Sequence, residues 1–130
     1  MKTEQKEKVK GTLCGCDDCS DGDVYFKKLQ QIGKDLKFDE KLNSLLAFFN
    51  ALGNKERLTI LTALKDQERC VCELEAILDK SQPSISHHLR ELEKVGLIRG
   101  WKKGKYTYYT LLEKDFKENI ANLNREFNFE

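Results

Sequence analysis

Two short apolar-striped segments joined by a two-residue connection constrain this chain more than anything else in it. In the first, Val71, Leu74, Ile77 and Leu78 recur at helical spacing. Asp79 and Lys80 form the joint, Ser81 stands where a helix N-cap would, and Pro83 falls in the first turn, where its missing N–H costs nothing. In the second segment Ile85, Leu89, Leu92 and Val95 gather on one side, while Ser86, His87, Arg90 and Lys94 gather on the other. Two helices with so brief a joint predict a helix-turn-helix. The outward face of its second helix is then free to reach base edges and phosphates, whereas His88, angularly between Ile85 and Leu92, is expected to pack.

The flanking segments fit that unit. A helix is predicted from Asp23 on Phe26, Leu29, Ile32 and Leu36, weakened by Gly33. Asp39 can cap a second, carrying Leu42, Leu45, Leu46, Phe49 and Leu52 up to Gly53. Asn54 caps a third, in which Leu58, Leu61 and Leu64 form a stripe widened by Ile60, and the polar run from Lys65 to Arg69 ends it. After Gly96, residues Leu97 to Trp101 read as a strand, Lys102 to Lys105 as a turn and Tyr106 to Leu111 as the returning strand. Tyr106, Tyr108 and Tyr109 are expected to pack on that hairpin. Phe116, Ile120, Leu123 and Phe127 make a narrow C-terminal stripe of the kind that seeks a partner helix. The predicted fold is mainly α with a small β-hairpin, a winged helix-turn-helix dimerising through its N- and C-terminal helices. Residues 23–130 would form this domain and residues 1–22 a flexible cysteine-containing tail.

Charge agrees with a nucleic-acid reader. Net charge is only +1, but between Ser81 and Tyr109 six Arg and Lys residues face two Glu, leaving the remainder acidic. The polar opening Met1-Lys-Thr-Glu-Gln-Lys lacks the apolar stretch of a secretory signal, and no later run reaches membrane-spanning length. A cytoplasmic protein with no membrane partner is expected. In that reducing setting five cysteines, an odd number, suggest metal or redox chemistry rather than disulfides.

The cysteines fall in two groups. Cys70 and Cys72 stand at the start of the first helix of the helix-turn-helix, and Cys14, Cys16 and Cys19 form a CxCxxC cluster near the N-terminus. On a regular helix residues i and i+2 point about 200° apart, so Cys70 and Cys72 can share one ion only at a frayed first turn or by bending it. An isolated pair of this kind would make Cys72 a small apolar filler and Cys70 an ordinary surface thiol. Thiolates in number select soft ions: cadmium, lead, zinc or arsenite.

From Leu45 to Leu112 the chain resembles the ArsR/SmtB family of metal-sensing repressors, through FFNALGNKERLTILTAL, RCVCELEAIL, SQPSISHHLRELEKVGLI and GWKKGKYTYYTL. The resemblance implies a dimeric winged-helix repressor of operator DNA that is released when thiolates bind a soft ion. It also implies that CVCEL is a metal box, with N-terminal cysteines completing the site as in cadmium and lead sensors. In similar proteins the positions of Gln82, Ser86 and His87 contact DNA. Together with the helical layout and the basic hairpin, this gives a candidate DNA surface of Gln82, Ser84, Ser86, His87, Arg90, Lys102, Lys103 and Lys105. Glu75 stands where arsenite sensors of the family carry a third cysteine. Both histidines lie in the recognition helix, so the family's carboxylate–histidine zinc site on the C-terminal helix is not expected.

The thiols also admit three other readings. Cys16-Asp-Asp-Cys19 is formally a redox C-x-x-C, but no strand precedes it and no helix N-terminus is expected there to stabilise a thiolate, so neither an enzyme nor a small organic substrate is expected. A thiol-redox or persulfide-sensing repressor on the same fold is the main alternative. A permanent structural zinc clamp is the third, and chelation should then disorder the protein.

Overall fold

The computed structural model describes residues 1–13 and 22–128. Seven helices and three strands follow in the order α1 (Thr3–Leu13), α2 (Gly22–Lys37), α3 (Glu40–Leu52), α4 (Lys55–Asp66), β1 (Arg69–Cys70), α5 (Val71–Leu78), α6 (Gln82–Lys94), β2 (Ile98–Lys103), β3 (Tyr106–Leu111) and α7 (Glu113–Glu126). Contacts divide the chain into two compact units, Met1–Asn43 and Ser44–Glu130.

In the first unit α1 is helical where the sequence suggested a segment without an element. It buries no residue of its own, so no apolar stripe announces it. Glu4 in its first turn and Lys10 in its last complement the helix dipole. Lys10 reaches α2, with Nζ 2.9 Å from Asp23 Oδ1 and 5.3 Å from the centroid of the Phe26 ring. Of the predicted stripe on α2, Phe26 is buried, while Leu29, Ile32 and Leu36 are exposed.

The second unit holds the main core. Phe48, Ile60, Leu61, Leu64, Leu74, Ile85, Leu89, Leu92, Leu97 and Ile98 are buried together. On α4, α5 and α6 the buried residues are among those the spacing singles out, with Leu58 and Ile77 left exposed, but α3 turns a different face inward: Phe48 and Ala51 are buried beside Leu45, whereas Leu42, Leu46 and Phe49 of the expected stripe are exposed. Caps fall where the sequence placed them. Asn54 Oδ1 accepts from the Arg57 amide at 3.1 Å, and Asp39 Oδ1 accepts from the Lys41 amide at 2.9 Å. Ser81 holds the N-cap position of α6 without a side-chain cap bond, and its carbonyl accepts from the Ile85 amide at 3.0 Å. Asp79 closes α5 in the left-handed conformation at φ 53°, which turns the chain into α6 within the two predicted residues.

The sheet has an element the sequence reading lacked. Two-residue β1 pairs with β3, so the antiparallel order is β1-β3-β2, with Cys70 opposite Tyr108 and Arg69 opposite Tyr109. Strand β2 runs two residues further than predicted, to Lys103, β3 spans the predicted Tyr106–Leu111, and the chain turns at Gly104, whose φ is 64°. Gly100 faces Tyr109 across the hairpin, and a Cβ there would stand 2.9 Å from Tyr109 Cε1. This is a winged helix-turn-helix: α5 and α6 form the helix-turn-helix and β2–β3 the wing.

Candidate nucleic-acid interface and thiol site

Helix α6 is amphipathic in the way a reading helix must be. Ile85, Leu89 and Leu92 are at most 1% exposed and fix it in the core, while Gln82, His87 and Arg90 are exposed and Ser84 and Ser86 half-buried. The wing projects Lys102, Lys103 and Lys105, all exposed. Lys94, on the same outer face, is engaged with Glu91 at 3.1 Å. Helix and wing thus present hydrogen-bonding side chains on one element and cations on the other, the division between base readout and phosphate contact.

His88 packs, as its angle predicted, and its partner is a residue the sequence reading missed. Arg57 Nε donates to the Ala51 carbonyl at 2.7 Å, its Nη2 donates to the Asn50 carbonyl at 2.9 Å, and its Nη1 lies 3.4 Å from His88 Nδ1. One guanidinium thereby stitches the end of α3, the start of α4 and the recognition helix together. Partial burial of His88, and then the charge of Arg57, hold the imidazole below its ordinary pKa, so its neutral form is favoured. The tyrosines divide. Tyr108 stacks on Trp101 with centroids 5.3 Å apart. Tyr109 packs on the core; burial first, then the charge of Glu93 on α6, raise its pKa. Tyr106 is 52% exposed at the end of the hairpin, against the expectation that it packs, because the sheet ends there and no helix covers its last pair.

The two described thiols exchange the roles an isolated pair would have. Cys70 is buried and Cys72 is exposed, and both are free. Cys70 is not in the helix: it is the N-cap of α5, in extended backbone at φ −86° and ψ 168°. The opposition of i and i+2 side chains on a regular helix therefore does not apply to this pair. Glu73 Oε1 accepts from the Cys70 amide at 3.1 Å, and that bond is the first cause of a Glu73 pKa below the ordinary carboxylate range. Arg69 Nη1 approaches the same carboxylate at 3.6 Å, and Arg69 Nε donates to the Ala63 carbonyl at 2.8 Å, tying β1 to α4. The donor set, a buried cap thiol and an exposed first-turn thiol, suits a soft ion but supplies two ligands at most. Cys14, Cys16 and Cys19 lie outside the described residues, and among the described residues no group of three or more His, Cys, Asp or Glu is placed to hold a metal.

The model of the bacterial regulatory protein arsR family matches residues 54–99, which run from the N-cap of α4 into β2. A transcriptional repressor SmtB homolog from Synechocystis sp. is 31% identical over 108 residues, covering 83% of this chain and 79% of the relative. The chain belongs to the ArsR/SmtB family. Like its relatives in that family it is a transcriptional regulator and not an enzyme. A cadmium resistance transcriptional regulatory protein, CadC, from Listeria innocua is 40% identical over 82 residues, 62% of this chain and 64% of the relative. Among solved structures, a homodimeric winged helix-turn-helix DNA-binding domain from Mycobacterium bovis superposes with a TM-score of 0.56 at 25% identity, covering 67% of this chain and 81% of that one. Helix-turn-helix regulators of the family bind DNA. Among the described residues no helix is long and apolar enough to cross a membrane.

Proposed function

We propose that this ArsR/SmtB regulator is a repressor that binds operator DNA as a homodimer and releases it when Cys70 and Cys72, completed by Cys14, Cys16 or Cys19 of an N-terminal tail, capture a soft metal or metalloid ion. Cadmium, lead, zinc and arsenite are the candidate inducers, on the chemistry of a thiolate set. The observation that carries the reading is the position of Cys70: a thiol that caps α5, the helix packed on α6 through Leu74, with Val71 and Leu78 beside it. Because Cys70 is buried, ligation asks its sulfur to turn outward. The first turn of α5 must then give, and the angle of α6 follows. Gln82, Ser84, Ser86, His87 and Arg90 would read bases in a major groove, and Lys102, Lys103 and Lys105 would hold flanking phosphates. Paired recognition helices in successive grooves require operator half-sites about one helical turn apart, roughly 34–36 Å.

The test follows thiolate-to-metal charge-transfer absorption and operator affinity in the same samples. The wild type should lose about 5- to 150-fold in operator affinity on saturation, the usual range of allosteric coupling, and by linkage DNA must weaken metal binding by the same factor. Cys70→Ser with Cys72→Ser should bind operator and fail to respond. Release of that double variant by any of the four ions would overturn the mechanism.

A further inference from the structure

The same structure carries a second route out of Cys70, and this inference rests on the thiol reading above. Cys70 is a residue of β1 as well as the cap of α5, and β1 hydrogen-bonds to β3, the returning strand of the wing. Tyr108, the register partner of Cys70, is also the register partner of Trp101 on β2, and its ring stacks on the indole. A side-chain chain fastens the two edges across β3. Trp101 Nε1 donates to Thr110 Oγ1 at 3.0 Å, and the Thr110 hydroxyl donates to Glu68 Oε1 at 3.2 Å. Glu68 directly precedes β1, so the bonds run from the strand leading into the wing tip to the residue ahead of Arg69 and Cys70. Trp101 is one residue from the paired Lys102 and Lys103 at the tip.

We propose that Glu68, Thr110 and Trp101 are positioning residues that hold the wing to β1, so that the state of Cys70 is transmitted to the wing lysines in parallel with α6. A hydroxyl that accepts one bond and donates the other orders both ends of the chain at once: loss of either bond breaks the side-chain link between the indole and Glu68. Outward rotation of Cys70 displaces β1, and the wing moves with it. The recognition helix and the wing are thus both outputs of one thiol. They differ in kind, because the α6 route changes discrimination between sequences and the wing route changes phosphate attraction, which is sequence-independent.

The chain's single tryptophan makes this readable, since its emission reports the wing alone. Cadmium is titrated into the full-length protein while charge-transfer absorption and Trp101 emission are recorded, with operator affinity measured at several salt concentrations. In the wild type the emission change should share the midpoint of the absorption change, and the salt dependence of DNA binding should flatten in the metal-loaded form. Thr110→Val and Glu68→Ala should keep the absorption titration, lose the emission change, and reduce the cadmium-induced fall in affinity by about 2- to 10-fold, the scale of one hydrogen bond. Thr110→Ser, which keeps the hydroxyl, should behave as the wild type. Unchanged emission in a wild type whose absorption saturates would overturn the wing route and leave the thiol site standing. If no absorption band grows with cadmium, lead, zinc or arsenite, the metal reading falls instead. The link is then judged without metal: Thr110→Val should speed amide exchange in β1 and β3 together, and unaltered exchange in β1 would refute it.

Discussion

Apolar stripes mark α5 and α6, and they also mark α2, α3 and α7, yet many residues of the two sets end in opposite places. Leu74, Ile85, Leu89 and Leu92 are sealed within one chain, at 1% exposure or less. On α2, α3 and α7, Leu29, Ile32, Leu36, Leu42, Leu46, Phe49 and Ile120 stay exposed. The helix-turn-helix is thus sealed into the core of the second unit, whereas α2, α3 and α7 each keep apolar side chains exposed in the single chain. Exposed apolar side chains in such number point to a partner surface, and the proposed homodimer would use it.

Deleting part of the sealed face should have the largest effect. Leu89→Ala leaves a cavity at the centre of the core and should cost about 2–5 kcal/mol in denaturant unfolding, with loss of DNA binding following loss of fold. A cost within about 0.5 kcal/mol would mean that the face is not packed as described. Next come substitutions on the reverse of the same helix. Ser86→Ala or His87→Ala should remove about 1–3 kcal/mol of discrimination between operator and random DNA. Lys102→Ala or Lys103→Ala should instead weaken both about equally and lower the salt slope by about one each. The opposite pattern would mean that α6 and the wing exchange roles.

The open face gives a smaller effect with a different signature. Ile120→Glu should weaken dimerisation by about tenfold or more, seen by analytical ultracentrifugation, because it sets a charge in an apolar contact. A dimer that survives it would place the interface elsewhere. Phe116, although part of the same stripe, is unsuited to this test: its ring packs edge-on against Phe48 at 5.7 Å and against the core. The smallest effect joins the two regions through His88. Its pKa is lowered in the fold, so its contribution to stability is fully present above the unfolded value near 6.5 and is lost as pH falls through the folded value. The urea midpoint should accordingly decline below pH 6.5 in the wild type and decline less in His88→Asn. Equal declines would show that His88 titrates as freely in the folded chain as in the unfolded one.

Periodicity made most of this legible. The inward and outward faces of α6, the caps at Asp39 and Asn54, the wing and the packing of His88 all follow from side-chain spacing, because long amphipathic elements repeat their signal several times. Elements with nothing to repeat stayed hidden. Two-residue β1 has no period, and α1 buries no residue that could mark a face. Missing β1 also hid the nature of the thiol pair: once Arg69 and Cys70 pair with β3, Cys70 is pulled into the core ahead of the helix and Cys72 is left outside. Arg57 was invisible for another reason. Its role lies in two carbonyls and an imidazole that only the folded chain brings together.

Gly100 has the last consequence. Because no side chain occupies that position, the Tyr109 ring can lie across the hairpin, where the charge of Glu93 on α6 acts on its phenol. The root of the wing is therefore seated, through Tyr109, on the core that also holds Leu89 and Leu92 of the recognition helix, while Lys102, Lys103 and Lys105 stand exposed beyond it. A side chain at residue 100 would drive that ring from its seat, so the placing of the wing against α6 depends on a methyl group that is not there.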